Sequence, residues 1–252
     1  VPEPVALCTD PAVLGRPFYV MQRVRGEARG VRLVRDPLVR ERGEEIVRQV
    51  AREMAKLHAI RPPHPDLDVL PLPEPDPARA RITLYRRWLD DLGAAEPVVE
   101  TALRRMELDP PARQEVVLVH ADLRTGNILV ADGRLQAVLD WEFATWSDPH
   151  EDLAWFCARY WRFGADEREA GGLAAREVLV RAYEEASGRR VDARALAFWE
   201  VMANVRWAVI ALQQAERHRS GAERSLELAL TGSVVPRLER DILDSLCVWE
   251  GT

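Results

Sequence analysis

The sequence has almost no lysine. Lys56 is the only one among 35 basic residues, so arginine carries nearly all the positive charge. Cysteine is scarce too. Cys8, Cys157 and Cys247 are too few and too widely spaced for a disulfide framework or a zinc motif. That excludes a disulfide-stapled scaffold and fits a reducing, cytoplasmic setting. No uninterrupted apolar run reaches the ~18 residues of a membrane span. The N-terminus lacks the basic-then-apolar pattern of a secretory signal. A net charge of −6 gives no basic track for nucleic-acid phosphates. Neither nucleic acid nor a membrane is therefore an expected partner. The chain starts at Val1 instead of Met, which reads as truncation of a longer sequence.

What is present is a globular mix of 252 residues, 47% hydrophobic and 30% charged, long enough to bury a sizeable core. Residues 1–35 read as extended, with the strand-favouring run Phe18-Tyr19-Val20-Met21 between Gly15 and Gly26. Two strands joined near Asp10-Pro11 are expected. Helices then dominate. Asp36-Pro37 is a capping residue followed by a proline at the first helical position. Ile46, Val50, Met54 and Leu57 form an apolar stripe at helical spacing, so a helix to about His58 is predicted. Pro62, Pro63, Pro65, Pro71, Pro73, Pro75 and Pro77 make 62–77 a stiff surface loop. Asp76-Pro77 repeats the helix-start signal for a helix through Trp88, and another covers 98–108. The pattern then switches to short strands at 116–119, 127–130 and 135–139, the last two flanking the hairpin signal Asp132-Gly133. Helices are predicted again over 149–162, 168–186, 192–217 and 221–246, with Asp192 capping the third.

Two segments carry unusual chemistry. One is Val119-His120-Ala121-Asp122-Leu123-Arg124-Thr125-Gly126-Asn127. The other is Val138-Leu139-Asp140-Trp141-Glu142, followed by Asp148-Pro149-His150-Glu151-Asp152. The hairpin between them brings Asn127, at the start of one strand, near Asp140, at the end of its partner. An amide oxygen and a carboxylate at one end of a hairpin form a hard-oxygen site of the kind magnesium favours. Asp122, on a loop leaving a buried strand, can accept a proton from a substrate hydroxyl. Each residue alone is more often a cap or a turn. Taken as His-x-Asp, four residues, Asn, a hairpin and a second Asp, the order matches a kinase catalytic loop and its metal-binding aspartate.

Residues 116–155 resemble the aminoglycoside phosphotransferase family. Leu139-Asp140-Trp141-Glu142-Phe143-Ala144 with Asp152-Leu153-Ala154-Trp155 is especially similar to the branch found with acyl-CoA dehydrogenases. The resemblance implies an α+β, protein-kinase-like fold. Residues 1–27 would be a remnant of the small lobe and the interlobe hinge, and 28–252 the helical catalytic lobe. It implies transfer of the ATP γ-phosphate to a hydroxyl of a small molecule, with ATP and Mg2+ as cofactors. Asp122 would be the base, or the group orienting the acceptor. Arg124 would reach the transferring phosphate, or be a plain surface arginine. Asn127 and Asp140 would hold the metal. Met21, Gln22 and Val24 would form the hinge against adenine, with Leu129 in its floor. His120 and Asp152 would support the loop. Glu142 would bind a second metal or a substrate group, or simply be solvated.

The family's glycine-rich loop and strand lysine have no counterpart before the hinge-like segment. Lys56 lies beyond it, on the polar side of a helix. A chain lacking those parts is expected to be weakly active and to self-associate through the face that the missing strands would cover. A non-catalytic binding module of the same fold is the alternative. A metal-dependent hydrolase using His120, Asp122 and Asp140 is a third class, with His150 the residue to watch. The acceptor pocket is expected from helices over 155–215. There Trp155, Phe156, Tyr160, Trp161, Trp199 and Trp207 would suit an apolar acceptor, or be core. Glu184, Glu185 and Glu200 would suit a cationic one.

Overall fold

The computed structural model describes residues 1–72, 74–112 and 115–252. Pro73 of the proline-rich loop lies outside the described residues. The chain opens with an antiparallel hairpin of β1 (Pro4–Cys8) and β2 (Phe18–Met21), in which Leu7 pairs with Tyr19 and Cys8 with Phe18. Between the strands lies a one-turn helix, α1 (Pro11–Leu14). Asp10 caps it by accepting from Ala12 N–H, and Gly15 closes it in the left-handed conformation. The hairpin has no third strand among the described residues, and Leu7 and Tyr19 stay largely exposed. A second short helix, α2 (Gly30–Leu33), also falls within the stretch read as extended. Four-residue helices leave too short a periodic signal to be seen in sequence.

The first long helix, α3 (Pro37–Leu57), starts where its capping signal stands. The Asp36 carboxylate accepts from Leu38 N–H at 2.9 Å and Val39 N–H at 3.0 Å. Ile46, Val47, Val50 and Met54 are fully buried on its inner stripe. Gly43 lies on the same helix because α3 closely approaches the backbone near Leu173. A Cβ at position 43 would overlap the Leu173 carbonyl oxygen. Gly43→Ala should therefore lower unfolding free energy by about 1–3 kcal/mol, despite alanine's better helix propensity. A urea midpoint that rises would contradict this.

Next come α4 (Pro77–Leu92), capped by Asp76 on Arg79 N–H at 2.9 Å, and α5 (Pro97–Leu108). The buried strand β3 (Val117–Val119) leads into the segment from His120 to Asn127. A hairpin of β4 (Ile128–Ala131) and β5 (Arg134–Val138) follows. Asp132 and Gly133 both have positive φ at its tip, as a tight two-residue turn requires. Ile128 faces Val138 and Leu129 faces Ala137, and the Leu139 N–H donates to the Asn127 carbonyl at 2.8 Å. The register thus sets Asn127 against Leu139, one residue before Asp140.

The three-residue strand β6 (Thr145–Ser147) was not anticipated. It pairs antiparallel with β3, Leu118 opposite Trp146. The predicted helix over 149–162 is α6 (His150–Cys157) followed by a 3-10 turn over Arg159–Arg162. The next begins late, as α7 (Arg176–Ser187). Gly171 and Gly172, both at positive φ, hold the chain in a loop before it. The helix capped by Asp192 is α8 (Ala193–Arg219). It contains an 18-residue window of mean hydropathy 1.4, of which 78% is buried within the fold. That is the signature of a core helix. The predicted helix over 221–246 is broken into α9 (Leu226–Gly232), capped by Ser225, and α10 (Val235–Glu250). Helices α6, α9 and α10 pack around α8, while α3 packs on α7.

Candidate active site

The loop after β3 is clamped from below by one carboxylate. Asp152, fully buried on α6, accepts from His120 N–H and Ala121 N–H, each at 2.8 Å, and pairs with His58 Nε2 at 3.1 Å. Burial pushes the Asp152 carboxyl up, but His58 and the backbone donors outweigh burial, so it titrates below its ordinary value. The other His58 nitrogen meets the Tyr183 hydroxyl at 2.9 Å, and burial pushes that phenol well above its ordinary range.

His120 is a buried structural bracket. Its Nδ1 accepts from Asp122 N–H at 3.2 Å, which leaves Nε2 to carry the proton and donate to the Leu139 carbonyl at 2.9 Å. It therefore ties the loop bearing Asp122 to the strand end bearing Asp140. Trp141 tilts against its ring at 4.5 Å.

Between these brackets the backbone adopts unusual conformations. Ala121 has φ 60° and Asp140 φ 66°. Left-handed backbone at a non-glycine residue costs about 1–2 kcal/mol and marks sites where geometry is over-determined.

Asp122, nearly buried, is fixed on both oxygens. Oδ1 accepts from Trp155 Nε1 at 2.8 Å, and Oδ2 from Asn127 Nδ2 at 2.5 Å and from Arg124 Nε at 3.4 Å. Asn127 Nδ2 also donates to the Asp122 carbonyl at 2.9 Å. With its nitrogen so occupied, Asn127 is left with its amide oxygen free to act as a ligand. The reverse orientation would set that oxygen against a carboxylate. Asp140 is exposed and makes no hydrogen bond or ion pair with the described residues. An unengaged carboxylate one residue beyond Leu139, whose N–H donates to the Asn127 carbonyl, together with the free Asn127 amide oxygen is a donor set of the chemistry that fits magnesium. Glu142 is exposed two residues on. Arg124 does not point freely into solvent: its guanidinium lies 4.6 Å from the centre of the Trp161 ring.

These residues open into a cleft of about 820 Å³, lined by Asp122, Arg124, Asp140 and Glu142 and walled by Trp155, Trp161, Trp207, Gln213 and Arg217. It is of the size that holds a small molecule. Of the aromatics flagged in sequence, Trp155, Tyr160, Trp161 and Trp207 line it, whereas Phe156 and Trp199 are core. The flagged acids lie elsewhere. Glu200 pairs with Arg176 at 3.0 Å, and Glu184 accepts from Val191 N–H at 2.9 Å. His150 is turned away, its Nδ1 2.6 Å from Asp148 and its Nε2 accepting from Asp192 N–H at 3.3 Å. No group of three or more His, Cys, Asp and Glu side chains forms a metal cluster among the described residues. Both ring nitrogens of His120 are engaged, by Asp122 N–H and by the Leu139 carbonyl, so it offers no free lone pair to a metal.

Gly26 and Glu27, which follow the hinge-like residues, sit beside β4. Glu27 N–H donates to the Val130 carbonyl at 2.9 Å, and Gly26 packs so closely on Leu129 and Val130 that a side chain there would crowd both. This brings Leu129 beneath the segment that follows Val24. The Gln22 N–H is already given to the Glu3 carbonyl at 2.8 Å, so it is not free for a ligand. Val24, half-buried, makes no backbone hydrogen bond with the described residues. Half-buried Glu27 is held at about 2 by the Arg29 guanidinium beside it.

Residues 1–191 match the family model described as APH, the phosphotransferase enzyme family. The chain belongs to this family. Acyl-CoA dehydrogenase family member 11 of Gallus gallus is 34% identical over 169 residues, which is 62% of this chain and 20% of that protein. The chain spans 15–32% of the length of three curated relatives it matches. A proposed aminoglycoside phosphotransferase from Ralstonia eutropha superposes with TM-score 0.79 at 21% identity, covering 97% of this chain and 77% of its own. A mutant aminoglycoside 2'-phosphotransferase crystallised with GDP gives TM-score 0.65 at 17% identity, over 97% of this chain and 75% of its own. The phosphotransferase fold is accordingly protein-kinase-like and α+β, with a mostly helical large lobe.

Arg206 was missed in sequence. It sits in the apolar run of α8, is buried, and donates to the Ala121 carbonyl. A lone arginine among Val205, Trp207, Ala208 and Val209 was the available signal, since a charge is rarely buried without a partner.

Proposed function

We propose that this chain transfers the γ-phosphate of ATP to a hydroxyl of a small molecule. The observation that carries the reading is that Asp122 and the unengaged Asp140 line one cleft, with Asn127 hydrogen-bonded to Asp122 behind it. Family membership supports phosphoryl transfer, and the neighbour crystallised with GDP supports a nucleotide donor. Asp122 orients the acceptor hydroxyl. As the hydroxyl oxygen bonds to the γ-phosphorus and the bond to the ADP oxygen breaks, the hydroxyl proton passes to the Asp122 carboxylate. Asn127 Oδ1 and the Asp140 carboxylate would hold Mg2+, which when bound neutralises phosphate charge. Arg124, parked on Trp161, is the cation closest in sequence to the base and would meet the transferring phosphate. Val24 and Leu129 would contact adenine, with Met21 and Gln22 leading into them.

A second reading is magnesium–nucleotide binding without turnover. Lys56, the chain's one lysine, favours it: it is exposed on α3 and pairs with Glu53 at 2.6 Å. It cannot serve as a phosphate-binding lysine there.

Calorimetric titration of ATP with and without Mg2+ tests the reading. Metal-dependent binding is expected, weakened at least tenfold in Asp140→Ala, about 1.4 kcal/mol of binding free energy. Binding that is indifferent to metal, or equal in the variant, would refute it.

A further inference from the structure

Ala121 is held in its strained conformation from two sides. Asp152 takes its N–H, and Arg206 of α8 takes its carbonyl. The two clamps come from different helices, so the loop before Asp122 is set by the packing of α6 on α8. Arg206 does more than cap a carbonyl. Its guanidinium lies over the Trp155 ring, 4.4 Å from the ring centre. The indole of that ring donates to Asp122 Oδ1 at 2.8 Å. Arg206 is in turn held by Glu151 at 3.8 Å, and Glu151 is fixed by Arg81 at 2.9 Å and by the Ser147 hydroxyl.

We propose that Arg206 is a positioning residue for Asp122, acting through the Ala121 carbonyl and the stacked Trp155 indole. The inference rests on Asp122 being the group that orients the acceptor. The chemistry favours arginine specifically. A planar guanidinium can stack on an indole and donate in its own plane at the same time, which an ammonium cannot do. Burial of this charge costs several kcal/mol unless it is paired. Glu151 and the carbonyl supply that pairing. Asp122 lines the cleft and is held on Oδ2 by Asn127, so the orientation of its carboxylate turns on what fixes Oδ1. The indole donor fixes it, and the arginine prevents the indole from swinging into the cleft.

The test is the indole N–H spectrum of the 15N-labelled chain. Trp155→Phe assigns the Trp155 signal by deleting it. Asp122→Ala should shift that signal, since its acceptor is gone. Arg206→Met, which keeps the side chain's length and loses the fork, should shift it the same way and speed its exchange with water about tenfold or more. The indole signals of Trp146 and Trp249, which lie in other packing clusters, should stay in place, which reports that the fold is intact. Arg206→Lys, a milder change, should do the same if the methionine variant does not fold. An unmoved Trp155 signal in a folded Arg206 variant would overturn the proposal. Magnesium–ATP calorimetry on the same variants separates the two claims. Retained binding with a displaced indole signal supports positioning. Absence of nucleotide binding in the unaltered chain, with the indole shifts as described, would sink the phosphotransfer reading and leave the brace standing.

Discussion

Asp122→Ala is expected to lower phosphoryl transfer by about 10²–10⁴-fold, the usual worth of a positioned general base. Magnesium–ATP affinity should change by no more than about twofold, since this carboxylate is not among the proposed metal ligands. Alanine is the better probe. Asparagine would point a second NH2 group at Asn127 Nδ2, which now donates to Asp122 Oδ2 at 2.5 Å, and would turn the Asn127 amide over. With alanine, Asn127 keeps its bond to the backbone carbonyl at 2.9 Å. Initial-rate measurement of ADP release, with water or a small alcohol as acceptor, reads the effect. A variant with unchanged turnover would remove Asp122 from the mechanism.

The second large effect concerns stability. Asp152→Ala is expected to lower unfolding free energy by about 3–5 kcal/mol, because it leaves two backbone N–H groups and His58 without their buried acceptor. The pH dependence follows from the depressed carboxyl. In the unfolded chain this group titrates near its ordinary value of 3.8. In the folded chain it titrates lower, so its contribution is fully present above that value. The contribution is lost as pH falls through the folded value, below 3.8. Urea unfolding at neutral pH and at about pH 3 should therefore show the gap between the two proteins narrowing in acid. A gap that is constant, or wider in acid, would be inconsistent with an ionised Asp152.

Much of this architecture was legible because its signals are local. Asp36-Pro37, Asp76-Pro77 and Asp192 are capping residues whose side chains bond the next turn, so they mark helix starts wherever they stand. Asp132-Gly133 fixes a two-residue turn, and the turn fixes the register that carries Asn127 alongside Leu139. The residues proposed for the site stand out in sequence for the same reason: they lie within two short segments joined by that hairpin.

What was not legible depends on distant packing. Thr145–Ser147 is too short to announce a strand, and it becomes one because β3 offers an open edge. The break between α9 and α10 is the exception, since Gly232 at the end of α9 and Pro236 in the first turn of α10 are a local stop-and-start signal. Gly232 packs on Ala215 of α8, close enough that a side chain would collide, and the chain turns there. Arg206 lies 66 residues beyond Asp140 and acquires its role only because α8 passes behind the loop. Trp155 and Trp199 look alike in sequence, yet only the first faces the cleft.

The central claim is that a metal-bound nucleotide sits at Asn127 and Asp140. Paramagnetic broadening by Mn2+–ATP, used in place of Mg2+–ATP on the 15N-labelled chain, tests it most directly. The account predicts that substoichiometric Mn2+–ATP first erases the Asn127 side-chain amide and the Asp140 backbone N–H, while signals around His150 persist. Broadening centred on His150, or none at Asn127 and Asp140, would contradict it.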